Sequence, residues 1–362
     1  MQKNVIGYGS IFHEEDTGHI KNISNSNFIG DYELFYAGRY AIKHVIYCIF
    51  EHKNINQIWL PNYYCPYVKN WLEQEFNTIK YYDIDPFDSK DQIDWSLFST
   101  NDLVIANNYW GVKENNIPKG ERPIVIEDHS HGWLTKGCIE SHADFCIASL
   151  RKSIPIPLGG IAWKPLKSNC DIPLKPITNK NIDSDTNPML KSWDLINYAM
   201  KVKATCTNEA EKIAFLLSYS QGETLLRNTQ EIVPLLTEHK TVIREGLFKD
   251  FNSFKKNNLT YILKALEPSQ TFKVIIGYEK SPFGLLLAFK DWELLTNFKQ
   301  FLITNMIYPA ELWPQNRIAQ EFKFLLNIHL DFRYNEKDLD YMSEIINQWT
   351  LQQSYINIEQ VS

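Results

Sequence analysis

"RPIVIEDHSHG", residues 122–132, sets a short apolar run against two acids and two histidines. An unbroken apolar run bounded by Pro123 and Gly132 reads as a strand covered on both faces. Its polar residues then fall at the strand's carboxyl end, where open α/β sheets collect ligands. "DLVIANNYWG", residues 102–111, has the same form, and "ADFCIASL", residues 143–150, is a further strand that runs into Arg151 and Lys152. Three strand ends thus carry Asn107 to Gly111, Glu127 to His131, and Ser149 to Lys152. Their common position argues for one site.

Helices are expected between these strands. "YAIKHVIYCIFEHKN", residues 40–54, places Ala41, Val45 and Cys48 on one side, and "PYVKNWLEQEF", residues 66–76, is a second helix. "QIWLP" and "TIKYYDID" read as short strands. Alternating strands and helices predict an α/β fold with a mostly parallel sheet. From Lys164 to about Lys191 the chain is rich in Pro, Asn, Asp and Ser and reads as a long surface loop or lid. Helices are expected over about 192–219 and 229–248. "LTYILKAL", "TFKVIIGYEK", "FGLLLAFK" and "KFLLNIHLDF" read as strands, with a helix from Asp291 to Met306. A last helix follows Asn335, its expected cap. The division expected is an N-terminal segment, 1–30, packed on one of two domains, a large α/β domain, 31–239, and a small α+β domain, 240–362.

Length and charge narrow the function. The 362 residues exceed what one core usually serves, and a net charge of −6 gives no electrostatic case for nucleic acid or an anionic membrane. No apolar stretch is long enough for a membrane span, and "MQKNVIGYGSIFHEED" has no secretory h-region, so a cytoplasmic protein is expected. The six cysteines lack metal-ligand spacing and read as free thiols. No metal site is expected. Cys65 reads as a small packed residue, and His129 as an ordinary loop residue. Arg333 and Tyr334 read as closing the small domain.

A carboxylate at a strand end with a lysine further along suits one chemistry. A pyridine-based electron sink needs a buried acid to keep its ring nitrogen protonated. It needs a lysine to form a Schiff base with its aldehyde. Its phosphate needs hydroxyl, backbone N–H and cationic partners. Asp128 can supply the first and Lys152 the second. Ser149, Arg151 and the Gly38–Arg39 turn that opens the "YAIKHV" helix can supply the third. "PLGG", residues 157–160, gives a close-packed turn just after the lysine.

The ordered series "AGRYAI" (37–42), "LPNYYCPYV" (60–68), "YYDID" (81–85), "NNYWG" (107–111), "IEDHSHG" (126–132), "ASLRKSIPIPLGG" (148–160) and "ITNMIYPAELWP" (303–314) resembles the DegT/DnrJ/EryC1/StrS family of sugar aminotransferases. The resemblance implies fold type I, with a seven-stranded large-domain sheet and a smaller C-terminal domain. It implies pyridoxal 5′-phosphate on Lys152, Asp128 at the pyridine nitrogen and His131 near the 3′-oxygen. It puts Cys65 where the family has its ring-stacking aromatic, leaving Tyr63 or Tyr64 for stacking. The implied reaction is amino transfer from an amino acid, glutamate or glutamine, to a keto acceptor. For this family the acceptor is a nucleotide-linked keto-sugar, used for cell-surface polysaccharide or secondary-metabolite synthesis. A homodimer with sites at its interface is implied too. Two features depart from the family: Ser149 stands two residues nearer the lysine, and the segment that builds the partner's site is not recognisable after Lys164. A lyase or dehydratase using the same cofactor, or a non-catalytic relative, are the alternatives.

Overall fold

The computed structural model describes residues 3–9, 12–24, 27–88, 90–177, 187–277, 283–316 and 320–359. Seven strands make the main sheet: β1 (Ile29–Phe35), β2 (Ile58–Pro61), β3 (Ile79–Tyr82), β4 (Leu103–Asn107), β5 (Ile124–Asp128), β6 (Phe145–Ala148) and β7 (Gly160–Pro165). Their order is β1-β7-β6-β5-β4-β2-β3, and all pairs are parallel except those of β7 with its two neighbours. Every residue of β4, β5 and β6 is buried, as their unbroken apolar runs require of central strands between helical layers.

Ten helices are described: α1 (Lys3–Ile6), α2 (Gly38–Phe50), α3 (Pro66–Glu75), α4 (Lys136–Ile139), α5 (Pro188–Thr205), α6 (Glu209–Asn228), α7 (Thr237–Gly246), α8 (Phe251–Ala265), α9 (Trp292–Thr304) and α10 (Glu336–Glu359). None is long and apolar enough to cross a membrane. The second sheet is antiparallel, in the order β10 (Ala310–Leu312), β11 (Phe324–Ile328), β9 (Leu285–Phe289) and β8 (Phe272–Ile275). A separate apolar cluster joins it to α8, α9 and α10 through residues such as Leu259, Phe298 and Trp349. The N-terminal segment touches both parts. Ile6 packs on Ala199 and Phe215, while the Gly9 N–H donates to the Tyr334 hydroxyl at 2.6 Å.

Three expected elements differ. "LTYILKAL" is the second half of α8, not a strand. Leu259 and Ile262, three apart, face the core, and Asp250 caps the helix by accepting from the Ser253 N–H at 3.0 Å. The helix expected over 192–219 is two helices, because Asn208 caps a new one through the Glu211 N–H at 3.0 Å. The stretch 229–248 holds only α7, after α6 ends and Pro234 intervenes. The polar loop is pinned where described. Lys164 Nζ donates to the carbonyls of Cys170 and Ile172, and Ile172 and Leu174 are buried. Residues 178–186 of that loop lie outside the described residues. Asn335 does cap α10, in a reciprocal box with Asp338 at 3.2 and 2.9 Å.

Candidate active site

β4, β5 and β6 end side by side, and their register sets Asn107 opposite Asp128 and Asp128 opposite Ile147. Two residues beyond Ile147, Ser149 begins a short 3-10 turn, Leu150–Lys152, that carries the lysine. The Leu150 N–H donates to the Gly159 carbonyl at 2.9 Å, so the glycine pair returns directly under the turn. Gly160 passes against the start of α2. A Cβ there would lie 2.4 Å from the Ala37 carbonyl carbon, so only glycine lets β7 and the helix start approach this closely. Gly38 likewise faces Ser149, whose backbone nitrogen would stand 3.1 Å from an added Cβ.

These elements enclose a cavity of about 200 Å³ walled by Gly38, Arg39, Asp128, Ser130, His131, Ser149, Arg151 and Lys152. At one end Asp128 is 5% exposed. Its Oδ1 accepts the Ser130 N–H at 2.8 Å and its Oδ2 accepts the Tyr64 hydroxyl. Burial first, then the Asp128 charge, raises the Tyr64 pKa well above its ordinary value, so Tyr64 stays protonated and donates. In the middle, Lys152 Nζ donates to His131 Nε2 at 2.9 Å. Burial lowers the Lys152 pKa, against the pull of Cys65 and Asp128. Burial, and then Lys152, push His131 well below its usual range, so the ring is neutral and can accept.

The other end is an anion cradle. α2 begins after Ala37, which has no side-chain cap to offer, and no acid stands in its first turn. Its first bonded amide is that of Tyr40, so the amides of Gly38 and Arg39 point out of the helix end. Arg39 donates to the Leu226 carbonyl and keeps a buried Nε with no partner. Arg151 is paired with Glu223 of α6, and Arg227 stands 3.6 Å from the same carboxylate. Three arginines thus border this end beside one glutamate.

The structure therefore gathers Gly38, Arg39, Asp128, His131, Ser149, Arg151 and Lys152 around one cavity. It does not bring Tyr63 or Tyr64 to its wall. Both rings are buried, Tyr63 donating to the Leu312 carbonyl at 3.3 Å and Tyr64 to Asp128. Cys65 and Trp313 line the wall instead. Sequence reasoning missed Glu223 and Trp313. Glu223 sits on a distant helix and had no signal. Trp313 lay in "ITNMIYPAELWP", quoted only as part of the ordered series of motifs. His129 stands in the loop just past β5, as expected, with its side chain fully buried. It lies 3.1 Å from Glu127, whose oxygens also accept from Asn115 at 2.8 Å and Ser141 at 2.6 Å. Cys146 lies close to both, and its Sγ donates to the Ser141 hydroxyl at 3.2 Å. On the far side of Lys152 a second cavity, about 360 Å³, is walled by Phe12, Met200, Phe283, Tyr308 and His329.

No protein-family model and no curated protein sequence matches this chain. Its architecture does match solved structures. Spr1654 of Streptococcus pneumoniae, assigned as a sugar aminotransferase and solved in its PLP form, aligns with a TM-score of 0.56 at 12% identity over 90% of this chain and 88% of its own. The sugar aminotransferase CalS13 of Micromonospora echinospora aligns with a TM-score of 0.51 at 13% identity over 88% and 87%. AtS13 of Actinomadura melliaura gives 0.52 at 12% identity over 88% and 86%. The chain has the fold-type-I architecture, with a seven-stranded, mainly parallel sheet and a smaller antiparallel one.

Proposed function

We propose that the protein is an aminotransferase that uses pyridoxal 5′-phosphate. One observation carries this reading: a half-buried lysine of lowered pKa shares a cleft with a strand-end carboxylate and an uncapped helix start. The donor set fits the cofactor at each end. The Gly38 and Arg39 amides, Ser149 and Arg151 would hold its phosphate. Asp128 would face its ring nitrogen, His131 its 3′-oxygen, and Lys152 its aldehyde. Bound there, the cofactor supplies an electron sink for charge that develops at the substrate's Cα.

The chain's own groups then do the rest. Asp128, oriented by two donated hydrogen bonds, would hold a proton on the ring nitrogen. Lys152 would take up on its Nζ the proton that leaves Cα, a role that its lowered pKa favours. The larger cavity beyond Lys152 leaves room for the substrate's body. We assign glutamate or glutamine as donor and a nucleotide-linked keto-sugar as acceptor, for polysaccharide or secondary-metabolite synthesis, on the resemblance in sequence. On the same basis we assign a cytoplasmic homodimer, and the six free cysteines fit a reducing compartment.

The test is a spectrum of the cofactor-loaded protein with donor alone and then with acceptor. The donor should bleach the yellow band, and a keto-sugar nucleotide should restore it. Bleaching without restoration by any keto-sugar would keep amino transfer and remove the sugar. No bleaching by any amino acid, together with deamination or dehydration of a substrate, would make the enzyme a lyase.

A further inference from the structure

The cavity wall raises a question of its own: what covers the face of a flat ring bound there. The first residues to consider follow β2, and they do not serve. Tyr63 and Tyr64 are buried with their hydroxyls committed to Leu312 and Asp128, and the third residue is Cys65. Tyr67 reaches the lip, but it is 58% exposed and the Arg227 guanidinium already lies 4.7 Å from its ring centre.

Trp313 comes from the other sheet. It follows β10, lines the cavity, and is 9% exposed. Its ring lies 5.3 Å from that of His131, the acceptor of the Lys152 hydrogen bond. Its backbone is left-handed, φ +54°, a conformation that bulky residues rarely adopt unless the surroundings impose it. The imposing group is visible. Asn316 donates its N–H to the Trp313 carbonyl at 3.0 Å and its Nδ2 to the Tyr64 carbonyl at 2.8 Å, and its Oδ1 accepts the Tyr64 N–H at 3.2 Å. One side chain therefore clamps both backbone groups of the residue that bonds Asp128.

We propose that Trp313 is the aromatic cover of the cofactor ring, supplied by the small domain, and that Asn316 is the latch that positions it. The inference rests on the pyridoxal-phosphate reading. It assigns the stacking role that the sequence left to Tyr63 or Tyr64, and it ties the placement of the small domain to the ring site through one asparagine.

The experiment uses the full chain labelled with 5-fluorotryptophan. The Trp313 resonance is identified as the one missing from Trp313→Phe. It should shift when pyridoxal 5′-phosphate is added and stay in place with inorganic phosphate alone. Trp313→Ala should weaken cofactor binding about tenfold, the usual worth of an aromatic stack, and Trp313→Phe by far less. Asn316→Ala should weaken it too, with Trp313 still present. Should Trp313→Ala fail to fold, the labelled resonance and the phenylalanine variant decide the matter. A yellow protein whose Trp313 resonance does not move overturns the stacking role and leaves the cofactor reading standing. A protein that never turns yellow overturns both.

Discussion

Two buried aspartates, Asp128 and Asp331, stand at or just past the carboxyl ends of strands, and they are held in opposite ways. Asp331, just past β11, faces the fork of Arg333: Nε donates to its Oδ1 at 2.8 Å and NH2 to its Oδ2 at 2.6 Å, with both side chains 1% exposed. Burial raises the Asp331 pKa, but Arg333 outweighs it and holds the acid far below the ordinary carboxylate range. Asp128, the last residue of β5, has only neutral donors, Ser130 and Tyr64. One acid has its cation built in and is structure. The other is oriented by neutral groups on the wall of a cavity, and under the proposed function it would meet a cation that arrives from outside. Burial alone does not mark a functional carboxylate; the unspent valence does.

Removing the built-in cation should give the largest effect. Arg333→Met leaves Asp331 charged and buried, which costs about 3–5 kcal/mol. The double variant Asp331→Asn with Arg333→Met should recover much of that loss. Denaturant midpoints of the cofactor-free proteins measure both. A single variant as stable as the parent would mean that water or another group already satisfies Asp331, and the contrast with Asp128 would fail.

The complementary change falls on turnover. Asp128→Asn keeps the shape and the Ser130 contact, so stability should change by less than about 1 kcal/mol. Turnover should fall by about 10²–10³, the usual worth of one preorganised charge in a site. Single-turnover rates with the cofactor bound give the comparison. Near-normal rates would make Asp128 a strand-end fixture with no part in the chemistry.

Much of this contrast could be read from the sequence, and the reason is local. Strands covered on both faces must be apolar throughout, so β4, β5 and β6 announced themselves, and their ends delivered Asp128, Ser149 and Lys152 together. Gly38 and Gly160 were legible because close backbone approach excludes any Cβ. What failed depended on distance. α8 carries an apolar run whose spacing of three only tertiary packing distinguishes from a strand. Glu223 reaches Arg151 from 72 positions away. Trp313 reaches the cavity from the end of β10 in the second sheet, and nothing in "AELWP" says which face the indole will take. The tyrosines beside Cys65 were candidates by adjacency alone, and hydrogen bonding committed them elsewhere.

The last effect concerns pH, and it extends the comparison to His329 and His131, which wall the two cavities beside Lys152. His329 keeps a buried Nδ1 with no hydrogen-bond partner. Burial is the main cause of its low pKa, about 4; Asp331 pulls it up, while Lys255, Arg333 and Lys203 push it further down. An unfolded imidazole titrates near 6.5. Between pH 6.5 and 4 the unfolded chain therefore binds a proton that the folded one refuses, and acid shifts the balance toward unfolding. His131, also lowered well below 6.5, adds to the same slope. The paired Asp331 behaves differently: its contribution persists until the pH falls below the ordinary carboxylate value, because its folded pKa is lower still. The cofactor-free protein should thus lose stability steadily from pH 6.5 to 4. His329→Gln should flatten part of that slope and leave the part due to His131. A parent profile flat across this window would mean that both imidazoles are charged in the fold, and His131 could then no longer accept the hydrogen bond from Lys152.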